Sequence, residues 1–339
     1  MKPFDARSGE GLDELCMIAG YASRPRRDLV GLMAQCDRVE PSVLERFRQE
    51  RQELPMLSTS ASQLLSIVPR FVDMEIDEIV SAVEFEPNLV ARLLTLANSA
   101  YYRRASEIES LKGAISRIGR VETGSTTAVY ATQSLFNPNM NLVSSMFAHR
   151  WYRLQHDSAV AAYGTSWLCR SLELCAPSQG FLAGLLHDVG KGIVLNCIGH
   201  LVTGEQFPFE LYGTTAAELQ ERLHCDVGVE ALIQWQLPEY LVEVCAEHHA
   251  PEPDAGPHTA LVHAVRVVSG FNTLRSGAYP RATLDDEIRQ SLRWLALDAP
   301  TLRKLGAVLT NAVEQVTRTL GPAPKSARDR TQRDDSKRS

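Results

Sequence analysis

The stretch FLAGLLHDVGKG at residues 181–192 reads as a buried helix that ends on two polar side chains. Phe181, Leu182, Leu185 and Leu186 fall on one apolar helix face, and His187 and Asp188 follow at its C-terminal end. Gly190 is expected to permit the turn after it, because glycine tolerates the backbone conformations that end helices. Outward from this stretch the same spacing of three and four recurs. Leu89, Leu93, Leu94, Leu96 and Ala97 line one face, with Pro87 where a first helical turn accepts proline. Leu237 and Pro238 repeat that start signal before Leu241, Val244 and Cys245. Thr215 and Glu218 have the spacing of a capping box, and Asp298 and Pro300 precede Leu302, Leu305, Val308 and Leu309. No run of alternating residues with hairpin dipeptides is present, so the fold class is all-α.

The chain has 339 residues, 44% of them hydrophobic, which suggests two domains at the usual size of about 100–200 residues each. A net charge of -6 argues against a general nucleic-acid binder, which needs an excess of Lys and Arg to track phosphates. No segment approaches the roughly 18 consecutive apolar residues of a membrane span. The opening MKPFDARSGEG lacks the apolar run of a signal peptide, so a cytoplasmic location is expected. Seven cysteines stand at 16, 36, 169, 175, 197, 225 and 245 with no CxxC pair, which reads as reduced thiols. The polar FNPNMNL break at 136–142 marks a boundary between two helical lobes, 51–137 and 143–321. Residues 1–50 carry helical spacing and read as an N-terminal helical extension, with a short basic loop, SRPRRD, at 23–28. Residues 322–339 are charged and poor in large apolar groups, the composition of a disordered tail.

The histidines give the HD dipeptide its weight. His156 lies upstream in WYRLQHDSAVAAY, His224 downstream in ERLHCDVGVEALIQW, and His248 and His249 close VEVCAEHHAP. Imidazole nitrogen and carboxylate oxygen both suit Zn, Mn, Fe or Ni, and helices can project such ligands into a bundle core. Six groups on four segments can then converge: His156, His187, Asp188, His224, His248 and His249. That number suffices for a mononuclear or dinuclear site, and two ions would clamp a phosphate displacement. Lys191, one turn past the dipeptide, either neutralises a phosphoryl oxygen or satisfies helix carbonyls. His149, His200, His258 and His263 lie outside the pattern.

The ordered set resembles the HD superfamily of metal-dependent phosphohydrolases, in particular its HD-GYP branch, which cleaves cyclic di-GMP. The surrounding chain is similar to a sister family, the HDOD domain. That likeness runs through LPMLSTSASQLLSIV (54–68), EFEPNLVARLLTLANSAYY (84–102) and IESLKGAISRIG (108–119). It resumes with QHDSAVAA, FLAGLLHDVGK and HCDVGVEALIQWQLPEYLVEVCAEHHAP (224–251) and continues to about residue 320. The resemblance implies a two-lobed helical bundle with an HD-like core in the C-terminal lobe. It assigns His156, His187, Asp188, His224, His248 and His249 as metal ligands, and Lys191 as a substrate contact.

Two departures follow from the same comparison. The HD pattern closes with an Asp in a later helix, whereas ALVHAVRVVSG (260–270) holds no acid and places Arg266 nearby. A buried cation there would repel a metal and leave the site degenerate. The Gly-Tyr-Pro loop is also missing after His249. The resemblance therefore implies a regulatory protein without catalysis. Its pocket would bind a metal ion or a phosphorylated small ligand, such as a nucleotide or cyclic dinucleotide, and relay that state to a signalling partner. The alternative is a metal-dependent phosphohydrolase in which Asp188 and Lys191 take part in catalysis. Asn98, Ser99, Tyr101 and Tyr102 admit two readings: a cap and packing cluster, or a polar-aromatic recognition surface.

Overall fold

The computed structural model describes residues 29–50, 59–102, 107–136, 147–204, 214–253, 256–276 and 284–320. The loop at 23–28, the break at 137–142 and the tail at 322–339 lie outside them. Helices are the only regular elements among the described residues, which agrees with the all-α reading.

A first group comprises α2 (Thr59–Ile67), a 3-10 turn (Val68–Arg70), α3 (Ile76–Val83), α4 (Pro87–Ala97), α5 (Leu111–Ile118) and α6 (Arg120–Phe136). Its core is built on Leu65, Phe71, Ile79, Leu89, Leu93 and Ile115, all essentially without solvent exposure. Helix α4 starts at Pro87 and buries Leu89, Leu93 and Ala97, while Leu94 and Leu96 are partly covered. Asn98 then acts as a staple. Its Nδ2 donates to Ile108 O at 2.8 Å, and its Oδ1 accepts from Ile108 N at 2.9 Å. The amide thereby satisfies two backbone groups of an irregular segment, which is the structural role foreseen for it. Ser110 caps α5 by accepting from Gly113 N at 3.2 Å, and Gly119, with φ of 88°, ends it in a conformation that favours glycine.

A second group is arranged on the long α7 (Ala148–Leu172). Packed on it are α8 (Pro177–Leu186), α12 (Thr259–Ser276) and α14 (Ala299–Leu320). Helix α9 (Val189–Thr203) lies against α10 (Thr214–Gln234), which continues into α11 (Glu239–Glu247), and α13 (Leu284–Trp294) packs on α12. Every residue of α8 from Gly180 to Leu186 is buried. Full burial of side chains such as Phe181, Leu182, Leu185 and Leu186 is favourable by roughly 1.5–3 kcal/mol each before chain entropy is counted. The run Pro177–Thr203 is apolar and long enough to cross a membrane, but 83% of its most apolar window is buried inside the bundle. Its apolarity is that of a core.

Three local readings are refined here. Gly190 does not make a turn; it lies in the first turn of α9. A Cβ at that position would stand 1.9 Å from His224 O and 2.8 Å from Gly228 N, so glycine permits the close approach of α9 to α10. Thr215 sits inside the first turn of α10, and its hydroxyl donates to Gln35 Oε1 at 2.7 Å instead of forming a capping box. Asp298 does cap α14, accepting from Thr301 N at 2.9 Å.

Helix α1 (Leu29–Glu50) falls in the N-terminal extension and packs on α9 and α10. Cys36, Val39, Val43 and Phe47, spaced by three and four, bury its inner face. Arg222 of α10 reaches Asp37 at 2.7 Å and Glu40 at 3.3 Å, and Arg46 donates to His200 Nδ1 at 2.7 Å. The two helices that α1 braces carry Asp188, Lys191 and His224.

Candidate metal centre

The joint between α8 and α9 is two residues long. His187 caps the end of α8 and Asp188 caps the start of α9, so both side chains leave the apolar helix faces at one point. His224 comes from α10, while His248 and His249 stand at the end of α11. His224 and His248 have 0% exposed side chains and His187 has 3%.

The hydrogen bonds fix which nitrogen of each ring carries a proton. His224 Nδ1 faces the carbonyls of Gln220 and Glu221 at 2.9 and 3.0 Å. His248 Nδ1 faces those of Val244 and Cys245, both at 3.0 Å. His187 Nδ1 faces Gly184 O at 2.9 Å, and His249 Nδ1 faces Glu287 Oε2 at 3.2 Å. Carbonyl and carboxylate oxygens only accept, so each Nδ1 is the donor, and in the neutral ring each Nε2 holds the lone pair.

Those lone pairs meet. His224 Nε2 and His248 Nε2 are 3.2 Å apart, and they stand 3.3 and 3.5 Å from Asp188 Oδ1. Asp188 Oδ1 is buried and has no hydrogen-bond donor. Asp188, His224, His248 and His249 together offer four ligand atoms within 4.8 Å of one another. Acceptors crowded this way repel unless a cation lies among them. Tetrahedral ligands about 2.0–2.1 Å from one ion are separated by roughly 3.3 Å, close to the spacings found here. The donor set therefore fits a borderline divalent ion of the Zn, Fe, Mn or Ni type. The contact from His249 to Glu287 has the form of a carboxylate that orients a metal-binding imidazole.

The electrostatics favour the metal-binding protonation state. Burial lowers His187 to about 4 and His224 to about 3, so both rings are neutral at ordinary pH. Burial pushes the Asp188 carboxyl upward, but His187, Lys191 and the other imidazoles outweigh it and hold the group well below its ordinary value. For Lys191, burial opposes the charge, while Asp188 and Glu221 more than restore it. The Lys191 ammonium is clamped 3.0 Å from Asp188 and 2.8 Å from Glu221.

Five of the six expected ligands and Lys191 are thus neighbours. His187 joins the group through Asp188 Oδ2 at 3.4 Å. His156 does not join it. Its Nε2 meets Thr317 Oγ1 of α14 at 3.3 Å, its Nδ1 meets Asp157 at 3.4 Å, and its ring stacks on Tyr152. Helix α7 packs against both α12 and α14, and His156 falls on the side of α14. Among the described residues, four mutually close ligand atoms could hold a metal ion. Arg266 is buried, and its charge registers at His263, which burial and Arg266 together lower to about 4. The α12 side chain that reaches the centre is Ser269, whose hydroxyl lies 3.2 Å from His187 Nε2. Sequence reasoning missed Ser269, Glu221 and Glu287. Only Ser269, one turn beyond Arg266, carried a positional signal.

The HDOD domain family model matches residues 54–251. Among solved structures, an HDOD domain protein of unknown function from Geobacter sulfurreducens superposes with a TM-score of 0.53 at 21% identity, covering 91% of this chain and 99% of its own. A protein from Shewanella amazonensis SB2B, provisionally named a metal-dependent phosphohydrolase, gives a TM-score of 0.59 at 18% identity, covering 85% of this chain and 99% of its own. A provisionally named signal transduction protein from Marinobacter aquaeolei VT8 gives 0.56 at 17% identity, with 93% of this chain aligned to 65% of that one. No curated protein matches the sequence significantly. The family match spans more than half of the sequence and the bundle has the same fold as these structures, so the chain belongs to the HDOD domain family.

Proposed function

We propose that this chain is a cytoplasmic regulatory HDOD protein. Its Asp188–His224–His248–His249 pocket, flanked by His187, holds one divalent ion, and its two helical lobes relay the occupancy to a protein partner. The observation that carries this reading is the meeting of the His224 and His248 Nε2 atoms at Asp188 Oδ1, an arrangement that suits a bound cation. Bound metal would order α9, α10 and α11 together, because these three elements supply the ligands. A ligand biases a protein between two states only through unequal affinity for them, so the relay requires that the pocket be intact in one state and opened in the other. The signal transduction name of the Marinobacter relative is consistent with such a role.

A regulatory rather than catalytic role is favoured by the state of Lys191 and by the enclosure of the rings. The Lys191 charge is taken up by Asp188 and Glu221, and the helix that would supply a closing acid offers Ser269 instead. The alternative is a metal-dependent phosphohydrolase, favoured by the mixed His and Asp ligand set and by the name of the Shewanella relative. Titration of purified apoprotein with Mn, Fe(II), Zn and Ni, followed by assays with cyclic di-GMP and a generic phosphodiester, separates the two. The regulatory reading expects one ion per chain and no turnover. Turnover abolished by Asp188→Asn would instead establish the enzyme.

A further inference from the structure

A second, unrelated cavity opens where α4, α6, α7 and α14 meet. Its volume is about 650 Å³, several times that of a dry packing defect of about 150 Å³ and within the roughly 300–1,000 Å³ range of small-molecule sites. None of the metal-centre residues lines it. Its walls are largely apolar, with Leu96, Ala100, Val129 and Val316 among them. Polar groups gather at one place. Glu122 of α6 faces the cavity, and its Oε1 accepts from Tyr163 Oη at 3.1 Å and from Gln315 Nε2. Both donors use the same oxygen, Oε1. Ser99, also in the lining, has a buried Oγ without a hydrogen-bond partner among the described residues. At the mouth the Tyr101 ring is 76% exposed and meets Tyr102 edge-on at 4.8 Å, while Arg92 contributes a guanidinium to the wall.

These groups specify a ligand chemistry. An exposed tyrosine, Tyr101, with the partly buried Tyr102 beside an apolar slot suits a flat ring. A carboxyl group on the cavity wall, oriented through one oxygen by two protein donors, suits an N–H edge on that ring. The arginine suits an acidic substituent toward the mouth. We infer that this cavity is a binding site for a nucleoside-sized heteroaromatic molecule, of which guanine nucleosides and nucleotides are the type, with Glu122 reading the N–H edge of the base. The site connects α4 with α7 and α14, so an occupant would tie the first group of helices to the second. It is separate from the metal centre and stands or falls without it.

The test is equilibrium dialysis of the full chain against guanosine, guanosine 5′-monophosphate and adenosine, with chelator present. Guanosine is expected to bind at least tenfold more tightly than adenosine, whose base edge presents an acceptor where guanine presents a donor. Glu122→Gln should weaken guanosine binding at least tenfold. Ala100→Trp, an exposed position at the rim, should block the cavity without disturbing the fold and so serves if the first variant fails to fold. Absence of guanosine binding to the unaltered chain would overturn the inference. So would equal affinity for both nucleosides, or binding that survives Ala100→Trp.

Discussion

His249 donates through Nδ1 to Glu287 Oε2 across 3.2 Å, so a carboxylate on α13 sets the direction of an imidazole at the end of α11. The carboxylate thus acts on the centre through the ring. Glu287→Gln should therefore weaken metal affinity by about 10–100-fold while leaving every ligand atom in place. Competition against a chromophoric chelator reads this directly. Unchanged affinity would mean that His249 is not a ligand.

Gly190→Ala should disable the centre without touching a ligand. The added methyl would lie 1.9 Å from His224 O, a backbone atom that cannot rotate away. Helices α9 and α10 must separate, and Asp188 must move from His224. The overpacking should cost at least about 1–3 kcal/mol, measured by denaturant unfolding, and metal binding should fall with it.

Helix α1 lies outside the family match but should support the centre. Phe47 is buried to 3% exposure on the face directed at α9 and α10. Phe47→Ala should cost about 3–5 kcal/mol in chemical denaturation, the usual range for an emptied aromatic site. Arg222→Ala should cost far less, about 1 kcal/mol or under, because its ion pairs are partly solvated. Similar losses for the two would contradict the assignment of apolar burial as the main fastening.

The apoprotein should lose stability in acid. Burial leaves His187 and His263 titrating at about 4 and His224 at about 3 in the folded chain, against about 6.5 when unfolded. Between those values the unfolded chain binds more protons, so stability rises with pH across the window and is lost as pH falls through it. Asp188, held below its ordinary value, adds to the loss at the lower end in the same direction. Each group contributes on the order of a few kcal/mol at most. Urea midpoints measured with chelator should fall steadily from pH 7 to pH 4. A flat profile would show that these rings are not buried as neutral groups.

Much of this was legible in the amino-acid order, for physical reasons. Apolar spacing of three and four is a direct imprint of helical geometry, so Leu89, Leu93 and Ala97, or Leu302, Leu305 and Leu309, could be placed on helices unaided. The histidine cluster was legible because the family pattern orders its members along the chain. What escaped was anything set by the rotation of one helix against another. His156 is turned toward Thr317, and Ser269, one turn beyond Arg266, meets His187. Glu287 lies 38 residues from His249, and no local pattern links them. The cavity beside Glu122 is likewise made by four helices and written in none.

The central claim is that one ion is held by proton-free Nε2 atoms gathered at Asp188. Elemental analysis of the metal-loaded, desalted chain tests it most directly, with His248→Ala and His156→Ala in parallel. The account predicts one ion per chain in the unaltered protein and in His156→Ala, and none in His248→Ala. Loss of the ion in His156→Ala, or a metal-free unaltered protein after loading, would contradict it.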